Sequence, residues 1–503
     1  MPVTQQEISH LLDQLEARGL SAGDISKAFT QATGLTYYDL QTQVQRVYPL
    51  VTPLIKWIPR KKGNGGTGTN WKAIKKLDNS GALGFVGEGN RGALMNTPVT
   101  NYYRPYKTIG VDTRTSFEAQ AASEGLDESA KETATILLLD QARQAEEWMV
   151  LGGNSADAGT GVALGTTPTP TVTANNASGS LAAQTWSVIV VAMSYHAWVA
   201  SRGTIVTGSA LPLAASRTNA DSSTDAIAGG LGAKSAAATQ ATTGGASSLN
   251  ISWAAVSGAF AYGIYVGAAG SETLQAITVI NSAIVSSIVA GTQAASALPA
   301  GTDNSRESLA FDGILYQIIA SGSSIVTQLP TGTIGSGTPL TSDGNRGITE
   351  FNNIFQQMWA AGRICPGQIW LSGNRMNAVQ KLIGASGNGN AQAFLTPDAN
   401  GQLSTMGVYV SFVLNNYAGG RKVQLMVHPD LPDSVALFTT NVINTPEYPT
   451  TNLSSLLEIK TRREWYQIDY PQNSRKYESG VYAEELLAIK NYPHFALITN
   501  IGG

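Results

Sequence analysis

The chain has 503 residues, of which only 13% are charged, with 53 glycines, one cysteine and a net charge of −3. Average globular chains are about 25% charged, so this composition suits a surface covered by neighbours or a β-rich module, and the length suits two to four domains. The balance excludes a basic footprint for sequence-specific nucleic-acid binding, Cys365 alone forms no intrachain disulfide, and no run of eighteen apolar residues offers a membrane span.

Residues 1–53 read as an arm. Ile8, Leu11, Leu12 and Leu15 mark one short amphipathic helix, and Ile25, Ala28 and Phe29 a second. Pro49 and Pro53 then force an extended path. The N-terminus lacks the apolar core of a secretion signal, though part of the arm could be a removable leader.

Residues 54–115 alternate short β-prone runs with Gly-rich turns, which predicts a long two-stranded ribbon with a flexible tip. A lone ribbon is marginal in water, so this one should be held by a partner surface. Cations cluster at Arg60, Lys61, Lys62, Lys72, Lys75 and Lys76, read as a solvated or subunit-facing patch. Gly63, Gly65 and Gly68 satisfy G-x-G-x-x-G, and Glu88 lies at a dinucleotide-site distance. Pro59 and a basic run precede them and no amphipathic helix follows, so the stretch reads as a loop.

From Ser123 to Gly153 the chain reads as one long helix of roughly 35–38 Å. Leu126, Ala130, Ala134, Leu137, Leu138, Ala145 and Met149 recur at helical spacing. Asp127 is the expected N-cap, Arg143 and Glu147 an i,i+4 pair, and Gly152-Gly153 the stop.

Residues 165–305 almost lack charge. TWSVIVVAMSYHAW, SLNISWAAVSG, AYGIYVGAA and LQAITVI read as strands of an antiparallel sandwich. Its stretch SLNISWAAVSGAFAYGIYVGAAG resembles fibronectin type III and immunoglobulin-like modules. Trp253 would be the buried tryptophan, and Tyr262 and Tyr265 belong to the next strand. The low-complexity run Thr218–Gly245 reads as a long mobile loop. Residues 306–455 alternate short helices and strands, and 456–503 hold strands ending in an apolar run expected at the centre of a sheet.

No catalytic or metal-binding pattern stands out. His10, His196, His428 and His494 are isolated from other ligands in sequence, no zinc or EF-hand spacing occurs, and no nucleophile elbow or phosphate loop is present. Cys365 reads as a buried structural thiol. Glu146-Glu147 and Glu484-Glu485 are sequence neighbours whose side chains diverge, hence poor acid–base pairs. Sequons at Asn176, Asn250 and Asn452 carry little weight without an export signal. The expectation is no enzyme, no catalytic residue, no metal and no cofactor.

The segments YPLVTPLIKWIPR, NWKAI, GEGNRGA, TSFEAQAASEGLDESA…EEWMVLGGN and EELLAIKNYPHFALI, in this order, resemble the major capsid protein of tailed double-stranded DNA phages, a fold shared with herpesvirus capsid floors. The resemblance implies an α+β fold: an N-terminal arm (1–53), an extended loop (54–115), a peripheral domain with a long spine helix (116–164 and 456–503) and an axial domain (306–455). The inserted sandwich (165–305) departs from that plan and is expected to project outward and add little to closure.

Implied with it are self-assembly into pentamers and hexamers of an icosahedral head, and enclosure of DNA without sequence reading. Scaffolding, portal and cement partners, location in the virion after assembly in the host cytoplasm, and no membrane association complete the implied picture. Some members crosslink a loop lysine to a neighbour's asparagine; no partner asparagine or acid is identifiable here. The rivals are a tail or baseplate protein carrying a fibronectin-like module, and an enzyme carrying a carbohydrate-binding sandwich.

Overall fold

The computed structural model describes residues 46–503, apart from 75–83, 93, 95–98, 124–127, 158, 203–204, 207, 290–292, 345–346, 386–394, 398–402, 406–409, 442–454 and 473. The two arm helices, the cap at Asp127, Lys75 and Lys76 fall outside the described residues. The fold is α+β and divides into a small unit (residues 1–48 and 115–134) and a large one (49–114 and 135–503).

In the small unit, a short helix Phe117–Ala122 is capped by Ser116, whose hydroxyl accepts from the Ala119 amide at 3.2 Å. The long helix spans Ala130–Gly152, 23 residues. Its start is a capping box: Ser129 accepts from the Glu132 amide at 3.3 Å, and the Glu132 carboxylate accepts from the Ser129 amide at 3.1 Å.

The large unit is built on two sheets. The first orders its four strands as Arg60–Lys62, Leu457–Asp469, Lys476–Ile489 and Lys107–Ser116. Leu486, Leu487, Ala488 and Ile489 form an unbroken buried run, which fits an interior strand. The second sheet has six strands, in the order Ile325–Gln328, Ala496–Thr499, Ala436–Thr439, Gln368–Leu371, Arg421–Val427, Phe412–Asn415. Helix Thr349–Gly362 turns Phe351, Ile354, Phe355 and Met358 onto it, spaced i, i+3, i+4, i+7. The sequence reading grouped residues 496–499 with the peripheral strands. The structure places them inside the six-stranded sheet, because Tyr492–His494 makes a one-turn 3₁₀ helix that redirects the chain.

Residues 171–285 form two packed antiparallel sheets, one ordered 282–285, 248–252, 171–175, the other 273–278, 261–267, 185–193, 238–241. Trp186, Val188, Val190, Leu249, Ile251, Trp253, Tyr262, Ile264 and Val266 fill the space between them. Trp253 meets Tyr262 edge-on at 5.1 Å, an arrangement worth about 1 kcal/mol beyond area burial. Tyr265, one pleat step out of phase with Tyr262, faces a second core with Val191, Leu211, Leu231 and Leu298.

Two expectations fail here. SYHAW is not strand: Ser194 caps a helix, Tyr195–Ser201. Thr218–Gly245 is not one long loop. It closes a hairpin (Ala215–Thr218 with Thr224–Ile227), runs buried from Gly229 to Ala233, and adds the strand Ala238–Ala241. Gly230, at φ +85, lets the chain pass where a Cβ would strike the Ser194 hydroxyl, so low complexity here marks close packing. The sandwich also shares a core with the rest of the large unit. Tyr195, Val199 and Phe260 belong to the same core as Val150, Leu151, Leu315 and Leu497.

Candidate assembly interface

The ribbon emerges from the four-stranded sheet. Strands Gly68–Ile74 and Val99–Pro105 pair antiparallel from Gly68↔Pro105 to Ile74↔Val99 and, among the described residues, only with each other. It is shorter than its predicted span: residues 53–57 are helix, and 107–116 join the four-stranded sheet. Two such strands lack a core, so something else must hold them.

The lower half is held within the chain. Trp71 stacks on Tyr102, its cross-strand partner, at 5.7 Å, and Tyr102 meets Tyr492 edge-on at 5.3 Å. Trp71 and Tyr106 are buried against Leu486 and Ala488. Arg104 pairs with buried Asp312 at 3.8 Å, and Lys107 with Asp157 at 3.0 Å. The upper half is not covered. Ile74 and Val99, paired across the strands, are 58% and 54% exposed, and beyond them Phe85 and Leu94 reach 89% and 91%. Val86 is also exposed. The exposed cross-strand pair Ile74–Val99 is apolar surface left for a partner to cover.

The root is pinned by charge. Strand Arg60–Lys62 pairs parallel with Ile459–Thr461, and each of its first two cations meets buried acid. Arg60 forms ion pairs with Glu146 of the long helix and with Glu485, the latter at 3.2 Å. Lys61 reaches Glu458 at 2.5 Å, where Lys490 (2.6 Å) and the Ser455 hydroxyl (2.5 Å) also converge. Burial pushes the Glu458 carboxyl up, but Lys490, Lys61 and Ser455 outweigh it and the net shift is downward. Glu485 goes the other way: burial raises it, and Arg60 only partly offsets that.

Beside this root, Glu147 caps the helix Pro53–Trp57 from 92 residues away. Its carboxylate accepts from the amides of Leu54 (2.8 Å) and Ile55 (2.9 Å), at the positive helix end. It also accepts from His428 Nε2 at 2.8 Å, because His428 Nδ1 accepts from the Asp430 amide at 3.1 Å and leaves the proton on Nε2. Asp430 in turn accepts from Gln144 (2.9 Å), Trp148 (3.0 Å) and Arg202 (2.5 Å), joining the long helix to the sandwich.

The sequence-level candidates therefore divide. Of the basic cluster, Arg60 and Lys61 turn to buried carboxylates, so reading them as solvated is corrected; Lys62 and Lys72 stay exposed. Gly63 lies in the turn between the root strand and the ribbon, its amide bonded to the Thr461 carbonyl at 2.8 Å, and a Cβ there would collide with the Tyr106 hydroxyl. This is a tight turn between strands, not the entry to a helix, so no dinucleotide cradle forms. Glu146 and Glu147 do diverge, yet both are fully buried, and His428 is not isolated in space. Their signal in sequence was the run AEEWMVLGG, two acids with apolar residues on both sides.

Leu138, Ala142, Val150 and Leu151 line the buried face of the long helix, while predicted Leu137 is exposed. Cys365 is buried, its thiol pushed up by burial. His494 is buried, and burial lowers it to about 4. Among the described residues no group of His, Cys, Asp and Glu could hold a metal ion, and no helix is long and apolar enough to cross a membrane.

No family model matches the chain, and no curated protein matches it. Among solved structures, it is similar to the capsid of a native GTA particle (8% identity, 94% of this chain and 97% of that one, TM-score 0.42). It is similar also to the cyanophage A-1(L) capsid asymmetric unit (11% identity, 93% and 98%, TM-score 0.42). A third is the capsid of Myoviridae phage XM1 (9% identity, 93% and 98%, TM-score 0.39).

Proposed function

We propose that this chain is the major structural subunit of a tailed-phage head, many copies of which close into an icosahedral shell around double-stranded DNA. The observation that carries the reading is the ribbon, pinned at its root by buried ion pairs and aromatic stacking while its outer half shows Ile74, Val99, Phe85 and Leu94 to solvent. Such an element is incomplete in one copy and complete when another copy covers it. Many weak contacts of that kind sum through valency. Slightly different bends of the same ribbon serve five- and six-fold environments. The subunit turns over no substrate; its work is association.

The α/β part around the six-stranded sheet packs near the symmetry axes, and the sandwich faces outward. The shell forms in the host cytoplasm, with scaffolding, portal and cement proteins as partners. Its DNA contacts are not sequence-specific, given a net charge of −3. The test is electron microscopy of the purified full-length protein, alone and co-expressed with a scaffolding protein. Closed shells support the reading. Fibres or small rings under both conditions overturn it in favour of a tail component, and monomers under both overturn assembly.

A further inference from the structure

We infer that Glu146 and Glu485 hold one proton between them around Arg60, and that losing it loosens the ribbon's root strand from the long helix. Both carboxylates are 0% exposed, and they come from elements more than three hundred residues apart in sequence. One guanidinium serves both. The second oxygen of Glu146 and one of Glu485 accept no hydrogen bond, and the Thr461 hydroxyl opposite Glu485 is buried and equally unpartnered. With both acids ionised, the site would carry two buried negative charges against one positive.

The surrounding charges do not repair this. On the long helix, Glu147 is committed to the Leu54 and Ile55 amides and to His428, and adds negative charge. On the root strand, Lys61 is engaged by Glu458, which Lys490 also meets. On the Leu457–Asp469 strand, Lys460 is itself pushed toward its neutral form by burial, and Arg462 is taken by Glu484 of the next strand. An uncompensated buried carboxylate takes up a proton instead of staying charged, and a shared proton leaves one balanced Arg60 pair. The upward push of burial on Glu485 agrees. The inference concerns this chain alone and does not depend on the assembly reading.

The sign of the linkage is fixed. A carboxyl whose folded pKa lies above its usual 4.5 stabilises the fold while protonated and loses that contribution as pH rises through the folded value. Glu485→Gln mimics the protonated acid, so it should match the native chain below pH 4.5 and melt at a progressively higher temperature than native as pH rises into mild alkali. Hydrogen exchange at the amides of residues 60–62, corrected for intrinsic rate, should accelerate with pH in the native chain and not in E485Q. Infrared difference spectra of the native chain should show a protonated carboxyl lost on alkalinisation. That last readout needs no variant, and a purely structural pair would not give it. Absence of the protonated-carboxyl band across the titration overturns the proposal, as does an E485Q chain that melts lower than native in mild alkali.

Discussion

The ribbon and the sandwich are both β structures, and the sequence presents both as attachments to a larger body. They complete themselves in opposite ways. The sandwich buries both faces of its four-stranded sheet inside the chain, then shares Tyr195 and Phe260 with the main core. Phe260 meets Tyr316 edge-on at 5.5 Å, and the Tyr316 hydroxyl accepts from the Tyr195 amide at 3.0 Å and donates to the Gly258 carbonyl at 3.1 Å. The ribbon ends its burial at Tyr102 and Trp71 and spends its outer apolar side chains on solvent. An element that finishes its core belongs to folding; one that does not belongs to association.

The strongest way to break this contrast is to delete residues 165–305 and close the gap with a short linker. If the sandwich were a detachable ornament, the remainder would fold unchanged. The account predicts an insoluble or molten remainder, read by loss of a cooperative thermal transition, because Tyr316, Val150 and Leu315 lose part of their cover.

Next in size is Arg60→Ala. It leaves Glu146 and Glu485 buried with no cation, at a cost of about 3–5 kcal/mol in denaturant unfolding. Phe260→Ala should cost about 3–4 kcal/mol by the same assay, through the cavity left between the sandwich and Tyr316. If it costs no more than an exposed substitution, the shared core is not real.

A finer test uses pH. Burial holds His494 at about 4, against its usual 6.5, so the unfolded chain takes up a proton there first and stability falls as pH drops from 6.5 toward 4. Glu485 acts with the opposite sign over an overlapping range. Removing its charge as E485Q should therefore steepen the rise of stability with pH in mild acid, measured by thermal unfolding.

The sandwich's strands and Trp253 were legible because alternation and aromatic content report local burial. The alternation of short helices and strands over 306–455 was legible, and the helix Thr349–Gly362 is one of its members. The root site was not. Glu146 and Glu485 are 339 positions apart, and nothing in either local pattern says that Arg60 will lie between them. Spacing along the chain likewise separated His428 from Glu147, which touch at 2.8 Å. The buried face of the long helix was misphased at Leu137 because all four residues of ILLL look equally apolar in sequence, whereas only Leu138 is fully buried. Low complexity between Thr218 and Gly245 was read as freedom; small residues there serve close approach instead.

The smallest effect on folding carries the most weight for function. Ile74→Ser with Val99→Ser changes a pair of exposed side chains and should shift unfolding by no more than about 0.5 kcal/mol. Sedimentation velocity on this double variant beside the native chain, under conditions where the native chain assembles, tests the central claim most directly. The account predicts large closed particles from the native chain and a slow, folded species from the variant with the same melting temperature. Equal assembly of the two would contradict it, and would move the association surface away from the ribbon.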